Sequence, residues 1–426
     1  MNMETKLKPS WVHLSLDEKQ TILANIAEKK GIDDNAVEKD FWVSIVLKAT
    51  FSLPCSKGLY FKGGTSLSKG WDLIDRFSED CDFAIDRAVL EFGEELSGTQ
   101  RNKLRKKSKK FIDNTLVSEL EKALNKLGLS GHFNLINPET KESDKDPVEF
   151  FIEYNSILPE KNPYIAERVK VEISCRSLIE PFKMVSMRSM IEDAYPDEPF
   201  SDPPFNVPTV LPGKTFLEKI FLLHEEFNRS GGGANIDRLT RHIYDIEKMM
   251  DKEFAIEAMN NEVLYSDIVE HRSKFTAWSG FDYQSHHPST ISFLPPESLM
   301  EALKDDYKKM LEGFIYGKSK LSYEELIERI TVLQERFRML ACNTSFFIPA
   351  FLKANTDFKN EFDFSNFPQE VLKRIYDFLN QVKSNGENYK ICNIHFNTDK
   401  KDNDITVTVK SNNNKYQGIH ISITDN

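Results

Sequence analysis

The sequence predicts a mixed α/β fold: a sheet flanked by helices, then a helical second domain, then a small C-terminal α+β appendage. Three observations predict this order. The apolar segment LYFK at 59–62 leads into two glycines, and an acidic strand pattern follows at 81–86. The stretch VKVEIS at 169–174 alternates apolar and polar residues, which is typical of a strand with one buried face. Beyond residue 213, helical periodicity dominates.

Before the sheet, the pattern predicts helices at 15–30 and 33–50. Ser15 and Glu18 have the spacing of a capping box, which marks the start of the first helix. Between and after the first two strands, helices are predicted at 65–76 and 97–127, and further strands at 132–136, 148–155 and 167–175. In the second half, helices are predicted at 214–229, 235–252, 297–315, 321–342 and 367–384, with three alternating strand segments after the last of them.

Six prolines lie between residues 196 and 212. Proline lacks an N–H and fixes φ, so this segment is predicted to continue neither a helix nor a central strand. The segment is therefore interpreted as a boundary. The resulting division is a core with N-terminal helices at 1–195, a proline-rich linker at 196–213, a helical domain at 214–343 and an α+β appendage at 344–426.

Composition limits the functional classes. The chain has 426 residues, 40% hydrophobic and 29% charged, with a net charge of −11. A protein with this charge is not a general nucleic-acid coat, because phosphate binding needs a basic surface. No run of 18 apolar residues occurs, and the N-terminus, MNMETKLKPSW, lacks the apolar core of a signal peptide. These features predict a cytoplasmic protein without a membrane partner.

The cysteines predict reduced thiols. They are odd in number and scattered, and none shows the C-x-x-C spacing of a zinc site. A structural zinc site is therefore not expected. The five are Cys55, Cys81, Cys175, Cys342 and Cys392.

Two aspartates are the first candidates for chemistry. Asp80 and Asp82 are two residues apart on a predicted strand, so their side chains point to the same side. Neighbouring carboxylates repel each other unless a cation lies between them, and carboxylate oxygens suit Mg²⁺. A solvated acidic face is the commoner explanation of an isolated D-x-D pattern.

The glycines upstream strengthen the metal hypothesis. Gly63 and Gly64 lie between a strand and a helix, where backbone N–H groups can hold a phosphate. Thr65 and Ser66 add hydroxyl donors, and Lys69 adds a cation one turn later. This order places a phosphate loop beside two metal ligands in one sheet.

A third acid is expected if two metal ions bind. Glu172 is the best candidate because it lies on the polar face of a later strand, although a surface glutamate would give the same pattern. Lys219 interrupts the apolar run TFLEKIFLL, so its ammonium group must reach solvent or an anion.

Two further groups have ordinary explanations. Arg238, Arg241 and Asp245 share one helix face, and a simple Arg241–Asp245 ion pair would explain their spacing. His286 and His287 are adjacent and precede a proline, so we interpret them as structural side chains and not as metal ligands.

A basic segment is the remaining candidate. RNKLRKKSKKF at 101–111 carries seven basic residues and no acid. The segment is either a solvated helix face or an RNA-binding surface. Its candidate RNA-binding residues are Arg101, Lys103, Arg105, Lys106, Lys107, Lys109 and Lys110.

Together these motifs resemble a known family. GGTSLSK with RFSEDCDF is similar to the AbiEii/AbiGii/MenT toxin family, within the DNA polymerase beta-like nucleotidyltransferase superfamily. VEKDFWVSIVL at 37–47 resembles the helix before the family's first motif. KTFLEKIFLLHEEFNR at 214–229 resembles its lysine-bearing helix, and RHIYDIEKM at 241–249 its last motif. The resemblance extends over residues 15 to 340.

The resemblance implies a role for each matching residue. Asp80 and Asp82 would be metal ligands, and Glu172 occupies the place where the family usually has an aspartate. Lys219 would approach the triphosphate, and Asp245 would complete the site from the helical domain. The residues that would form or brace the nucleotide loop are Gly63, Gly64, Thr65, Ser66, Arg76 and Ser78.

The resemblance also implies an activity. A magnesium-dependent enzyme, with two Mg²⁺ ions, would transfer NMP from an NTP to an acceptor hydroxyl, in a toxin–antitoxin or phage-defence system with a cognate antitoxin. The basic segment favours tRNA as the acceptor. The alternatives are transfer to a protein or a small molecule, and a non-catalytic nucleotide-binding or interaction protein.

Overall fold

The computed structural model describes residues 10–342 apart from 94–95, 141, 163–164, 180, 230–235 and 317–319. In the C-terminal part it describes residues 352, 356, 369–383, 389–397, 403–411 and 413–423.

Two helices precede the sheet. Helix α1 (Leu16–Lys30) begins at a complete capping box and ends at Gly31, whose φ is 67°. Helix α2 (Asp34–Ser52) starts where the Asp33 carboxylate accepts a hydrogen bond from the Asn35 N–H. Nearly all of α2 is buried because it packs against α1 and against the sheet. This helix is therefore the central support behind the strands.

The main sheet has seven strands in the order β3-β4-β5-β2-β1-β7-β6. The pair β1/β2 is antiparallel, whereas β2/β5 and β1/β7 are parallel. The mixed sheet with flanking helices confirms the predicted α/β fold class. In chain order its strands are β1 (Leu59–Lys62), β2 (Cys81–Ile85), β3 (Phe133–Ile136), β4 (Val148–Tyr154), β5 (Arg168–Ser174), β6 (Phe182–Met187) and β7 (Phe205–Val210).

The proline-rich segment corrects one prediction. Residues 205–210 form β7, which lies between β1 and β6 and contains Pro208. The interpretation of 196–213 as a linker is therefore wrong for this stretch. A proline removes only one donor from the ladder, and the complete burial of Val207 and Val210 stabilises the strand.

Helices surround and follow the sheet. The glycine segment forms a single turn, α3 (Gly63–Thr65), which continues as a π-helical turn at Ser66–Gly70 and is shorter than the predicted helix at 65–76. The remaining helices of this part are α4 (Gly98–Phe111), α5 (Val117–Leu124), α6 (Met190–Ala194), α7 (Pro212–Asn228), α8 (Thr240–Met249), α9 (Glu253–Asn260), α10 (Glu262–Phe275), α11 (Met300–Gly313) and α12 (Tyr323–Cys342).

Buried apolar side chains form three large clusters. The first lies between the main sheet and the helices up to α6. The second joins the helices from α7 to α12. It also includes Leu67 of the glycine segment and Ile74, which follows that segment. The phosphate-loop candidate is therefore packed directly onto the helical part of the chain.

The third cluster belongs to the C-terminal part. Helix α13 (Gln369–Lys383) packs on an antiparallel sheet of β8 (Tyr389–Asn397), β9 (Asn403–Ser411) and β10 (Tyr416–Ile423). Its core includes Ile391, Val407 and Val409, which alternate with more exposed residues. Within the described ranges, no helix combines the length and apolarity needed to cross a membrane.

Candidate active site

Four carboxylates lie in one region of the main sheet. Asp80 immediately precedes β2, and Asp82 within β2 lies opposite Glu172 of β5. Glu172 in turn lies opposite Glu149 of β4. The sheet register therefore brings the three predicted acids together and adds Glu149. Strand β4, VEFFIEY, carries Glu149 on its polar face, but the sequence could not show which strand β4 would pair with.

The ionised forms of these carboxylates are disfavoured by burial and by their mutual repulsion. Burial and the negative charges of Glu172 and Asp80 together raise the pKa of Asp82 to about 6, against the opposing effect of Lys62. Burial also raises the pKa of Asp80. Charges in this arrangement favour a bound cation, and an all-oxygen donor set suits Mg²⁺. As they stand, no three His, Cys, Asp or Glu side chains in the described ranges are grouped closely enough to hold an ion.

The glycine loop lies against these acids. Gly63 has φ of 80°, and a Cβ built there would be 2.2 Å from Asp82 Oδ2. A Cβ on Gly64 would be 2.7 Å from Arg76 Nη2 and 2.9 Å from Ser78 Oγ. Both positions therefore need glycine for space. The predicted loop, its predicted bracing residues and Asp82 are in direct contact.

Hydroxyl groups fix the same turn. The Thr65 hydroxyl donates to Ser78 Oγ at 2.9 Å, and the Ser66 hydroxyl donates to the Gly63 carbonyl at 2.8 Å. Both hydroxyls hold the loop in shape in this structure, so the backbone remains the surface that a phosphate could approach.

A buried ion-pair cluster joins the loop to the helical part. Arg76 donates to both carboxylate oxygens of Asp245, at 2.6 and 2.7 Å, and Lys219 Nζ lies 3.0 Å from Asp245 Oδ2. Burial would raise the pKa of Asp245, but Arg76 and Lys219 lower it to about 2. Three predicted site residues thus converge. Among the described residues, the Lys219 ammonium contacts Asp245 and His242, and no hydrogen bond or ion pair joins it to the glycine loop.

Arg241 does not form the ion pair that its spacing predicted. Asp245 is bound by Arg76 and Lys219, and Arg241 Cζ lies 4.3 Å from the ring centre of Phe314. Among the described residues, no carboxylate lies within 4.0 Å of the Arg241 guanidinium. Burial, together with the charges of Arg76 and Arg238, lowers its pKa to about 10. Arg241 is therefore a half-buried cation with spare binding capacity, a role that sequence reasoning missed.

A sequence comparison assigns the family. The family model described as nucleotidyl transferase AbiEii toxin, type IV toxin–antitoxin system, matches residues 46–329. The chain belongs to the AbiEii family. The family predicted from the motifs is thereby confirmed. The AbiEii chain is a nucleotidyltransferase toxin, and membership implies an NTP substrate and an antitoxin partner.

Solved structures were compared as well. JHP933 from Helicobacter pylori is 14% identical, with 74% of this chain and 96% of that chain covered and a TM-score of 0.35. MenT4, a nucleotidyltransferase toxin from Mycobacterium tuberculosis, is 15% identical, with coverage of 75% and 98% and a TM-score of 0.35. No curated protein sequence matches the chain.

Lys69 of the AbiEii chain is placed differently from the prediction. Its ammonium lies 2.7 Å from Asp40 Oδ1 and donates to the Arg188 carbonyl at 3.0 Å. The side chain is thus buried behind the loop and holds it to α2. The Lys69 ammonium is therefore bound by protein groups in this structure, and its role as a phosphate contact stays a prediction.

The same helix positions the acids of the AbiEii site. Lys39 in α2 is buried, and its Nζ lies 2.5 Å from Glu79 Oε2, beside Asp80 in sequence. The neighbouring Asp40 binds Lys69 of the glycine segment. Adjacent residues of one helix thus hold both halves of the candidate site.

The two adjacent histidines lie between α10 and α11, in the helical part of the chain. His286 Nε2 is 3.1 Å from Glu225 Oε1, and Arg272 donates to both oxygens of that carboxylate. This buried group ties α10 and the turn at Tyr283–His286 to α7. The geometry of His286 is that of a structural contact.

The basic segment forms α4 of the AbiEii chain. Arg105 is paired with Asp144 at 3.2 Å, and Lys107 and Lys109 contact Glu91 and Asp113. Arg101 donates to the Leu96 carbonyl at 3.0 Å. In the part of the chain that the structure describes, the exposed lysines of α4 without an ion-pair partner are Lys103, Lys106 and Lys110.

A surface cavity lies between α4 and the start of β4. It has a volume of about 520 Å³, and both Arg105 and Glu149 line it. Glu142, Asp144 and Asp146 line it as well, so the cavity is mainly acidic, and Asp80, Asp82 and Glu172 are not among its lining residues.

Gly63→Ala tests the contact between loop and acid. We expect nucleotidyl transfer to fall more than about tenfold, because the new Cβ would displace the Asp82 carboxylate. The positive φ adds a stability cost of about 1 kcal/mol. Gly31→Ala is the matched control, since Gly31 has φ of 67° and a Cβ added there would have no atom within 4 Å. It should lose similar stability and keep its transfer rate, and equal rates in the two variants would contradict the prediction.

His242 should make folding sensitive to acid. Burial and Lys219, whose Nζ is 3.2 Å from His242 Nδ1, lower its pKa to about 3. The unfolded chain binds this proton below about pH 6.5 and the folded chain does not, so stability falls as the pH drops from 6.5 towards 3. When the pH is lowered from 7.5 to 5, the free energy of unfolding measured in urea should fall by up to about 2 kcal/mol more for wild type than for His242→Gln.

The control for this measurement is His395→Gln in β8, where the histidine is exposed. Between the two pH values, the free energy of unfolding of this variant should change as much as that of wild type. If that of His242→Gln also changes as much, the acid sensitivity does not arise at His242.

Proposed function

We propose that this AbiEii-family enzyme uses Mg²⁺ to transfer NMP from an NTP to a hydroxyl of tRNA. The observation that carries the proposal is the direct contact between the Gly63 turn and the Asp82 carboxylate, with Asp80 and Glu172 beside them. A loop that admits phosphate and acids that attract metal thus share one face.

The residues that would hold Mg²⁺ are Asp80, Asp82 and Glu172. Bound divalent ions supply two effects: they lower the pKa of the acceptor hydroxyl and stabilise the leaving pyrophosphate. The protein contributes the close carboxylates, whose mutual repulsion favours a cation at this position. Asp80 follows Glu79, which Lys39 holds in place.

The triphosphate would be bound by backbone and by arginine. The turn at Gly63–Thr65 offers backbone N–H groups, and Arg241 offers a guanidinium with no carboxylate within 4.0 Å among the described residues. Arginine suits phosphate because its planar group donates two parallel hydrogen bonds. Asp245 and Lys219 act indirectly, since they fix Arg76 against Gly64.

The acceptor would be RNA bound along α4. Lys103, Lys106 and Lys110 are spaced i, i+3 and i+7, so they share one exposed face of the helix. Transfer of NMP to a hydroxyl of this RNA is the proposed activity. Such an activity would serve a toxin–antitoxin or phage-defence system.

A labelling assay tests the function. Purified protein is incubated with Mg²⁺, each α-³²P NTP in turn, and either total tRNA or cell extract. Label on tRNA is the expected result. Label on a protein or a metabolite would replace tRNA with another acceptor class, and absence of transfer with every NTP would contradict the function.

Two double variants test the RNA surface. Lys106→Gln with Lys110→Gln should raise the KM for tRNA. The slope of the logarithm of tRNA affinity against the logarithm of salt concentration should become shallower by about one per lysine removed. Lys308→Gln with Lys309→Gln removes two exposed lysines of α11 and serves as the matched control. Equal KM values in both double variants would exclude α4 as the RNA-binding surface.

A further inference from the structure

A lysine lies among the carboxylates of the candidate site. Lys170 Nζ is 3.3 Å from Glu172 Oε2, 3.8 Å from Glu149 Oε1 and 4.0 Å from Asp80 Oδ2. No motif of the sequence pointed to this residue. Its ammonium occupies the space between acids of three different elements, where a metal ion would be expected.

The sheet register explains why Lys170 lies among these acids. Lys170 and Glu172 are two residues apart on β5, so their side chains leave the same face. Strand β5 lies between β2 and β4, and each neighbour supplies acids to that face. The ammonium is therefore surrounded by carboxylates on both sides.

The lysine can also leave. Its side chain is 29% exposed, and a flexible four-carbon stem lets an ammonium group move to solvent or to another anion. A divalent cation bound to Glu172 and Asp80 would lie next to the Lys170 ammonium, which already contacts the same two carboxylates. The two cations therefore exclude each other by charge and by space.

We propose that Lys170 is the resident counter-ion of the nucleotide-free enzyme and competes with divalent metal for these carboxylates. The proposal rests on the proposed function, which places the metal at Asp80, Asp82 and Glu172. It follows that metal binds weakly until an NTP arrives. The triphosphate then offers the ammonium a new anion, and the carboxylates become available to the ion that the nucleotide brings.

Metal binding without nucleotide tests this competition. The full-length protein is titrated with Mn²⁺ in the absence of any nucleotide, and free Mn²⁺ is followed by electron paramagnetic resonance. Lys170→Met removes the charge and keeps the length of the side chain, so we expect it to bind Mn²⁺ at least about tenfold more tightly than wild type.

Two further variants isolate the charge at this position. Lys170→Arg keeps the positive charge and should bind Mn²⁺ as wild type does. Lys183→Met makes the same substitution at an exposed position of β6, at the edge of the same sheet, and should also leave Mn²⁺ binding unchanged. If Lys170→Met does not fold, Lys170→Gln takes its place in the titration.

The possible results separate the inference from the function. If Mn²⁺ binds the neutral variant no more tightly than wild type, the counter-ion role of Lys170 is overturned, even where wild type transfers nucleotide normally. If wild type transfers no nucleotide from any NTP, the proposed function fails instead. Tighter Mn²⁺ binding in Lys170→Met, with wild-type binding in Lys170→Arg and Lys183→Met, supports the inference.

Discussion

Asp82→Asn should abolish nucleotidyl transfer and leave the fold intact. The rate is expected to fall at least about a thousandfold, because the amide removes the negative charge that would hold a metal worth several kcal/mol of transition-state stabilisation. Stability should rise by at most about 3 kcal/mol at pH 8, since the raised pKa of about 6 shows that the ionised Asp82 carboxylate destabilises the folded state above that pH. Radiolabel transfer and thermal melting measure the two effects.

Asp86→Asn is the matched control. Asp86 follows the other end of β2, where its Oδ1 accepts a hydrogen bond from the Ala88 N–H at 2.8 Å. An asparagine can still accept this bond, so both transfer and melting should stay close to wild type. A rate for Asp82→Asn within tenfold of wild type would remove Asp82 from the metal site.

Asp245→Asn should have the largest effect on stability. Arg76 and Lys219 would remain buried without a counter-charge, which costs about 3–5 kcal/mol. The melting temperature should fall by about 5 °C at pH 7. The pKa of about 2 means that the Asp245 carboxylate contributes its stability throughout the range above pH 4 and loses it only as the pH falls towards 2. Lys219→Met should lower stability less than Asp245→Asn does, because Arg76 keeps its ion pair with Asp245.

Asp251→Asn provides the comparison for a surface carboxylate. Asp251 contacts Arg329 and Arg336, so it also has two cationic partners, but its side chain is 49% exposed. Exposed ion pairs are worth at most about 1 kcal/mol. If Asp245→Asn melts no lower than Asp251→Asn, the buried cluster does not stabilise the fold.

Local patterns explain what could be predicted of the fold. The capping box at Ser15 and Glu18 located α1, and the alternation in VKVEIS located β5. Both signals lie within a few adjacent residues. Strand β6 was missed because Phe182, Lys183 and Met184 are all exposed at the sheet edge, so no alternation marks them.

The candidate site shows the same limit. Gly63, Asp80 and Asp82 are close in sequence, and their residue types alone indicate phosphate and metal. The contacts of Lys69 and Lys170 depend on which strands and helices become neighbours, which no single segment shows. For this reason the sequence located the loop and the acids, but not the side chains that hold them.

The Arg76–Asp245 pair has a consequence for the synthesis of the toxin. Its partners are 169 residues apart in the chain, and Arg76 lies directly against the glycine loop. A growing chain on the ribosome therefore carries an unbalanced guanidinium in this loop until residue 245 has emerged. Chains truncated before residue 245 should therefore be inert, because Arg76 would lack the counter-charge that fixes it beside the loop.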